Sequence, residues 1–256
     1  MFSLALSFSL PLIKEQRDKA WAISPYPCIG GFSFLRLSFL KHPAYNTVLS
    51  RLRAGSKFLD LGCCVGQELR KLAFDGAPPE NMYGSDLRAG FLSLGFELFC
   101  DESKWSAGTF FAADIFATGN DTEDALEKVQ GKIDIVHIAM FLHLFTWEQQ
   151  LQACVRITEI LAPKPGCLIV GSQGGSIQPR EAPARRNPNR TTYLHDVESF
   201  EKLWTEVGVK TGSEWKVKAS LTKPWGERGN TDKEPKDRYF NGDDARWLTF
   251  TVVRVS

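Results

Sequence analysis

The chain has no dominant charge sign and no apolar run long enough to span a bilayer. Its 256 residues carry 31 Lys and Arg against 30 Asp and Glu, which gives a net charge of +1 at pH 7. This balance gives no indication of a nucleic-acid partner or an anionic membrane surface. The apolar opening, residues 2–13, is not preceded by Lys or Arg and has no good small-residue cleavage site. We therefore interpret it as an N-terminal helix or ordering segment rather than a secretory signal.

Metal-binding and disulfide patterns are also missing. The six cysteines form no Cys-x-x-Cys pair, and two of them, Cys63 and Cys64, are adjacent. This usage argues against a zinc site or a disulfide framework and favours reduced thiols in a cytoplasmic protein without a metal. No internal repeat or low-complexity tract is present. The composition, 43% hydrophobic and 24% charged, is typical of a globular chain whose length fits one α/β domain with additions.

What the sequence does contain is a strand, a glycine turn and a helix. The apolar run 58–61 is followed by Gly62 and Gly66, which remove the Cβ atoms that would keep a ligand away from the backbone. The spacing Asp-x-Gly-x-x-x-Gly from Asp60 differs from the dinucleotide fingerprint. It is similar to the S-adenosylmethionine (SAM) loop of class I methyltransferases, with Cys64 where a middle glycine is usual. A tight turn in an unrelated α/β protein is the alternative.

Acidic residues stand at the ends of the next two predicted strands. Ligands of a doubly wound sheet bind outside the carboxyl ends of its strands. Asp86 is therefore the candidate for the ribose hydroxyls, with Leu87 beside it, unless it only caps the following helix. Asp114 matches the aspartate that holds the adenine amino group in SAM enzymes, and Ile115 is the apolar neighbour for the ring.

The remaining pattern alternates helices with strands and closes with two strands. Residues 132–139 form a nearly continuous apolar run, as expected for a buried parallel strand. Further elements are predicted as helices 66–74, 88–99, 121–130, 146–161 and 196–207, and as strands 167–171, 215–221 and 247–255. We predict an α/β, Rossmann-like class I methyltransferase fold with a seven-stranded, mostly parallel sheet and helices on both faces.

Three segments lie outside this pattern. Residues 14–22 and 32–53 have helical periodicity, so we divide the chain into an N-terminal helical cap, 1–55, and a SAM-binding domain, 56–256. Residues 179–190 combine arginines with prolines and are predicted to be irregular, as a loop that closes over an anionic substrate or as a solvated loop. The polar stretch 222–245 is a second predicted loop.

Four stretches resemble the methyltransferases of fungal meroterpenoid clusters. They are residues 24–36, 58–70, 74–78 and 137–145, and the resemblance extends from about residue 14 to the C-terminus. The Cys63-Cys64 pair is usual in that group, whereas residues 1–12 have no match. The resemblance implies a homodimeric SAM-dependent O-methyltransferase. It further implies that the acceptor is the carboxyl group of a farnesylated aromatic polyketide acid.

A carboxylate acceptor needs little acid–base help, because its pKa of about 4 leaves it ionised near neutral pH. The cofactor set is Asp60, Leu61, Gly62 and Gly66 together with the acidic strand ends and their neighbours. In the acceptor segment, His143 is the candidate for orienting or deprotonating the substrate, or it is a structural histidine. The candidate substrate contacts, each with a packing or surface role as the alternative, are Tyr26, Arg36, Phe141 and Phe145.

Other functions remain open on the sequence. A phenol acceptor, with a pKa of about 10, would need a base more strongly. A methyltransferase-like protein that catalyses a cyclisation or rearrangement would keep the same binding residues without methyl transfer. A non-enzymatic partner subunit fits poorly with an intact binding loop, and a dehydrogenase fits poorly with the glycine spacing.

Overall fold

The computed structural model describes residues 2–117, 124–184, 187–223 and 243–256, with residues 2–10, 187 and 188 described by their backbone alone. A seven-stranded sheet forms its centre, with the order β3-β2-β1-β4-β5-β9-β8, and a separate two-stranded ribbon pairs β6 with β7. The strands are β1 (Phe58–Leu61), β2 (Met82–Asp86), β3 (Phe110–Ala112), β4 (Ile135–Ala139), β5 (Leu168–Ser176), β6 (Arg180–Ala184), β7 (Asn187–Leu194), β8 (Trp215–Thr222) and β9 (Ala245–Arg254).

Six of the seven strands run in the same direction, and only β9 runs against them. Strand β9 runs antiparallel to both β5 and β8, so the chain closes on a pair of strands with no helix between them. The predicted α/β methyltransferase fold is confirmed. Strand order reverses between β1 and β4, and a crevice at that switch point is the usual ligand site of a doubly wound sheet.

Helices cover both faces of the sheet. They are α1 (Phe2–Ile23), α2 (Pro27–Gly30), α3 (Tyr45–Arg53), α4 (Gln67–Phe74), α5 (Ala89–Phe99), α6 (Trp147–Ile160) and α7 (Val197–Thr211). One core cluster packs α6 and α7 against the sheet, and another packs α3 and α4 against its opposite face. The starts of α6 and α7 were predictable because Thr146 and Asp196 each close a capping box with the third helical residue.

The N-terminal cap is less helical than its periodicity predicts. Within residues 32–53 only α3 is an α-helix, and the 3₁₀ turns Ser33–Leu35 and Phe39–Lys41 precede it. Two local features stop a longer helix: Phe32 has a left-handed φ of 55°, and His42 is held extended before Pro43. The cap packs on the glycine loop and on α5 through a cluster that includes Val65 and Phe91. No helix in the described part of the chain is long and apolar enough to cross a membrane.

The prediction of an irregular loop at residues 179–190 is wrong, because β6 and β7 form a hairpin there. Pro183 is accommodated since a two-stranded ribbon leaves the outer edge of each strand without ladder hydrogen bonds. Strand β5 is longer than predicted because β9 pairs with it as far as Ser176. The described end of the predicted helix 121–130 is the 3₁₀ turn Glu127–Val129. Residues 118–123, 185–186 and 224–242, which include parts of three predicted segments, lie outside the described residues.

Candidate functional site

The glycine loop between β1 and α4 is tied to the end of β2. The amide N–H groups of Gly62 and Cys63 both donate to the carbonyl oxygen of Ser85, at 2.7 and 3.0 Å. Three loop residues have left-handed backbone angles: Gly62 at φ 79°, Cys64 at 53° and Gly66 at 68°. Cys64 therefore keeps the backbone conformation that suits glycine, at a steric cost of roughly 1–2 kcal/mol.

Asp86 lies half-buried at the carboxyl end of β2, beside this loop. Its Oδ2 accepts the N–H of Cys64 and its Oδ1 accepts the N–H of Arg88, both at 2.9 Å. Each carboxylate oxygen keeps a lone pair for a ligand hydroxyl. Burial raises the pKa of Asp86, although the two N–H donors oppose that shift. Helix α5 has Arg88 as its N-cap residue, so Asp86 supports the helix start without capping it. The same carboxylate can therefore hold a ligand and the loop together.

The adenine candidates lie further along the same edge of the sheet. Asp114 is exposed, follows β3 by two residues and accepts the N–H of Phe116 at 3.0 Å. Ile115 is only 6% exposed and packs in the main core. Leu87, by contrast, is 52% exposed, so it presents the larger apolar surface to a ligand at this edge.

Asp60 forms a buried ion pair at the base of the loop. Its Oδ1 lies 2.8 Å from Nδ1 of His137, and the two residues face each other in register on β1 and β4. Burial lowers the pKa of His137, but the carboxylates of Asp60 and Glu68 outweigh it and the net pKa is raised. The cap residue Phe39 packs on the imidazole at 4.4 Å between ring centroids. Leu61 is buried next to Asp60.

Sequence reasoning missed His137. The available signal was a single ionisable residue within an otherwise apolar strand, placed level with the aspartate of the neighbouring strand once the register is known. The Asp60 carboxylate thus pairs with a histidine on the neighbouring strand, and its role in bracing the loop stays a prediction. A role towards the cofactor stays a prediction.

Replacing His137 by Ala is expected to destabilise the protein by about 3–5 kcal/mol, because it leaves the Asp60 carboxylate buried without its partner. Urea unfolding at pH 6 would measure the loss. A raised pKa for His137 means that its stabilisation is complete below about pH 6.5 and is lost as the pH rises through the folded-state value. The double variant Asp60→Asn/His137→Gln should recover part of the loss. Equal unfolding midpoints for wild type and His137→Ala would contradict the ion pair.

The segment between β4 and α6, residues 140–146, brings the acceptor candidates to the glycine loop. The rings of Phe141 and Phe145 meet edge-to-face at 5.4 Å, and Phe116 meets Phe145 at 5.0 Å. A Cβ atom added at Gly62 would lie 2.9 Å from Cδ2 of Phe141. Phe116, Phe141 and Phe145 thus form an aromatic trio that reaches the glycine loop through Phe141. The contribution of Phe116 was not predicted, because residue 116 is distant from 140–146 in the sequence.

His143 belongs to the same segment and is buried. Its backbone N–H donates to Oε1 of Gln173 at 3.2 Å. Burial lowers the pKa of His143 to about 4, so its imidazole is neutral near pH 7. Such a group is a weak base, and its role towards the acceptor stays a prediction.

The two cap candidates differ in their surroundings. Tyr26 is half-buried and packs in the cluster that contains Val65 and Cys64 of the glycine loop. Arg36 is exposed just after the turn Ser33–Leu35. The structure thus brings Tyr26 to the loop. The acceptor roles of both residues stay predictions.

Comparison with known proteins identifies the family. The profile of the meroterpenoid methyltransferase N-terminal domain matches residues 11–35. The O-methyltransferase phiE of Fungal sp. (strain ATCC 74256) is 47% identical over 208 residues, which cover 80% of this chain and 67% of that protein. The chain belongs to the fungal meroterpenoid methyltransferases. The O-methyltransferase atr3 of Stereocaulon alpinum is 44% identical over 240 residues, 93% of this chain and 66% of that protein.

As a member of this family, the chain is an S-adenosylmethionine-dependent O-methyltransferase. It spans about two thirds of the length of these two relatives. Among solved structures, phosphoethanolamine N-methyltransferase 2 of Haemonchus contortus in complex with S-adenosyl-L-methionine matches with a TM-score of 0.55 at 15% identity. The match covers 94% of this chain and 60% of that one, and at this identity it bears on the fold.

Proposed function

We propose that this methyltransferase transfers the methyl group of SAM to a carboxyl oxygen of a farnesylated aromatic polyketide acid in fungal meroterpenoid biosynthesis. The family membership supports O-methylation in that biosynthetic context. The aromatic trio against the glycine loop supports an acceptor with a flat, apolar body. The choice of a carboxyl group rests on the chemistry of the acceptor segment.

One observation carries that choice: His143 is the only titratable side chain in residues 140–146, and its pKa of about 4 makes it a weak base. A carboxylic acid of pKa about 4 is already ionised at neutral pH and needs no base. A phenol of pKa about 10 would need one. The site is therefore better suited to an acceptor that arrives as an anion.

We infer the following division of labour. Asp86 accepts hydrogen bonds from the ribose hydroxyls, and Leu87 lies beside the adenine ring. Asp114 accepts a hydrogen bond from the adenine amino group, and Ile115 forms part of the apolar wall behind the ring. The methionine portion follows the backbone at Gly62 and Gly66, where no Cβ atom blocks its approach. The residues present fit this cofactor, because neither glycine adds a Cβ atom to the loop and the carboxylate oxygens of Asp86 retain lone pairs.

SAM supplies an electrophilic methyl group, and the protein must hold the acceptor oxygen in line with it. The cap, residues 1–55, is proposed to close the site with Tyr26 in its wall, which excludes water and keeps the carboxylate reactive. Arg36 is proposed to hold the acceptor charge as the cap closes. Phe141 and Phe145 fix the aromatic body of the substrate. A homodimer remains our prediction from the family resemblance, and a cytoplasmic location remains our prediction from the cysteine usage.

Incubation with methyl-labelled SAM and a farnesylated aromatic acid should give a labelled, base-labile methyl ester and one equivalent of S-adenosylhomocysteine. The matched phenol without the carboxyl group should give no label. The His143→Ala variant should lose turnover by about tenfold, the effect of one lost orienting contact. Full turnover in that variant would remove His143 from the mechanism.

Two outcomes would overturn the proposed reaction. A base-stable methyl ether would identify a phenol acceptor. Conversion of the acid without S-adenosylhomocysteine would identify a rearrangement on a methyltransferase fold.

A further inference from the structure

A buried glutamine joins the acceptor segment to the β6–β7 hairpin. Gln150 lies in the first turn of α6 and has no exposed surface. Its Nε2 donates to the carbonyl oxygen of Phe145 at 3.0 Å and to that of Tyr193 at 2.9 Å. Its Oε1 lies 3.1 Å from Nε2 of His195. All the hydrogen-bonding groups of this amide are therefore used, and two of its bonds span 43 and 45 positions of sequence.

The proton positions of this network follow from chemistry. The Oε1 atom of Gln150 only accepts, so Nε2 of His195 must carry a proton and donate it. Nδ1 of His195 then accepts from the hydroxyl of Ser199 at 3.0 Å. Burial lowers the pKa of His195 to about 3, which keeps the ring neutral. A reversed Gln150 amide would place its oxygen against two carbonyl oxygens, so the network has one orientation.

The network acts on the part of the chain that carries the aromatic trio. The carbonyl oxygen of Phe145 accepts both from Gln150 and from the N–H of Tyr193, at 2.9 Å. Tyr193 is on β7, and its ring meets Trp147 edge-to-face at 4.9 Å. The outer edge of the hairpin is thereby fixed to the backbone of Phe145, whose ring touches Phe116 and Phe141.

We propose that Gln150 is a positioning residue that locks the acceptor segment to the hairpin and makes the β6–β7 hairpin a specificity-determining wall of the acceptor site. This inference rests on the proposed methyl transfer to a bulky aromatic acid. Gln150 itself touches the carbonyl oxygens behind the aromatic wall. Its effect reaches the substrate through the placement of Phe145 and of the hairpin.

Replacement of Gln150 by Glu tests the proposal with almost no change in shape. An ionised carboxylate would face two carbonyl oxygens at about 3 Å and repel both, whereas the protonated acid can still donate to one of them. Burial would raise the pKa of the introduced carboxyl well above its usual value of about 4. The activity of this variant should therefore depend on the ionisation of the introduced carboxyl group and so on the pH. Titratable residues of the network and of the acceptor segment are Tyr193, His195, Asp196 and His143. The elements packed around them also carry charged residues, including Glu148 on α6, Glu198, Glu201, Lys202, Glu206 and Lys210 on α7, Arg180 and Glu181 on β6, and Arg190 on β7.

The matched control is Gln152→Glu, the same change on an exposed position of the same helix. At pH 8, Gln150→Glu should lower kcat/KM for the aromatic acid by about 10- to 100-fold. This is the size of loss expected when residues that position the substrate are displaced by up to about 1 Å. The Kd of SAM should stay within about twofold, and kcat/KM should recover in part at pH 6. Gln152→Glu should match wild type at both values. A parallel loss of SAM binding, or a loss of activity that does not depend on pH, would overturn the positioning role.

Hydrogen exchange at the amide of Tyr193 gives a readout that needs no acceptor. Because this N–H donates to Phe145, it should exchange at least about tenfold faster in Gln150→Glu at pH 8 than in wild type or Gln152→Glu. Unchanged protection would overturn the lock even if the enzyme methylates the proposed acid. Faster exchange in a protein that fails to methylate any carboxyl group would leave the lock intact and reject the proposed function instead.

Discussion

Replacement of Asp86 by Ala is expected to weaken SAM binding on the order of 100-fold. The variant loses the hydrogen bonds to two ribose hydroxyls, and each hydrogen bond to a charged group contributes about 1.5–3 kcal/mol. The variant also removes the acceptor for the N–H groups of Cys64 and Arg88, so the loop beside the ligand becomes less ordered. The loss should appear in the Kd and in the KM for SAM. It should not appear in the KM for the acceptor acid.

Calorimetric titration with SAM measures this effect directly. Glu80→Ala is the matched control, since it removes an exposed carboxylate just before the start of β2, at the opposite end of the same strand. Burial raises the pKa of Asp86, so its carboxylate is protonated at a higher pH than an exposed aspartate would be. As the solution is acidified, the SAM affinity of the wild type should therefore begin to weaken at that higher pH. Wild-type affinity in Asp86→Ala at neutral pH would remove Asp86 from the cofactor site.

The sheet and the glycine loop could be predicted because their signals are local. A strand such as β4, which is buried on both faces, has a nearly continuous apolar sequence, interrupted at His137. The glycines at 62 and 66 occupy backbone angles that other residues adopt only with strain. Thr146 and Asp196 likewise mark the starts of their helices within four residues of sequence.

The hairpin could not be predicted because its stability comes from distant contacts. Arginine and proline in residues 179–190 indicate irregular structure, and nothing in that stretch shows that β7 will dock on the acceptor segment. The docking is made by Gln150 and by the backbone of Phe145, more than 40 positions away from Tyr193. A glutamine in the first turn of an amphipathic helix has no sequence signature that distinguishes it from a surface residue.

The candidate site shows the same division between residues predicted from local motifs and residues that strand pairing brings together. Gly62 and Asp86 were proposed as cofactor residues from their positions at strand ends. His137 was missed because its partner, Asp60, becomes its neighbour only through the register of β1 and β4. The low pKa of His143 could not be inferred either, since it arises from burial by segments that the sequence does not show to be adjacent.

Replacement of Gly62 by Ala is expected to lower kcat on the order of 100-fold. The added methyl group would lie 2.9 Å from Cδ2 of Phe141, so the ring or the loop must move. Gly62 lies where the proposed cofactor and acceptor sites meet, and a displacement of about 1 Å between reacting groups costs roughly 100-fold in rate. The KM for SAM should rise less than kcat falls, because Asp86 and Asp114 are unaffected by the change.

The control variant Gly108→Ala distinguishes the effect of the contact with Phe141 from the effect of backbone strain. Gly108 has a φ of 85°, close to the 79° of Gly62, but nothing lies within 4 Å of the added Cβ atom. Both variants should therefore lose the roughly 1–2 kcal/mol of stability that a left-handed alanine costs, while only Gly62→Ala loses turnover.

The double variant Gly62→Ala/Phe141→Leu tests whether the ring is the cause. If the contact with Phe141 limits the rate, the smaller side chain should restore part of kcat, and the two substitutions should be non-additive by more than about 0.5 kcal/mol. Additive losses would show that Phe141 and the glycine loop act independently. The aromatic trio would then lie beside the cofactor site without setting the position of the acceptor.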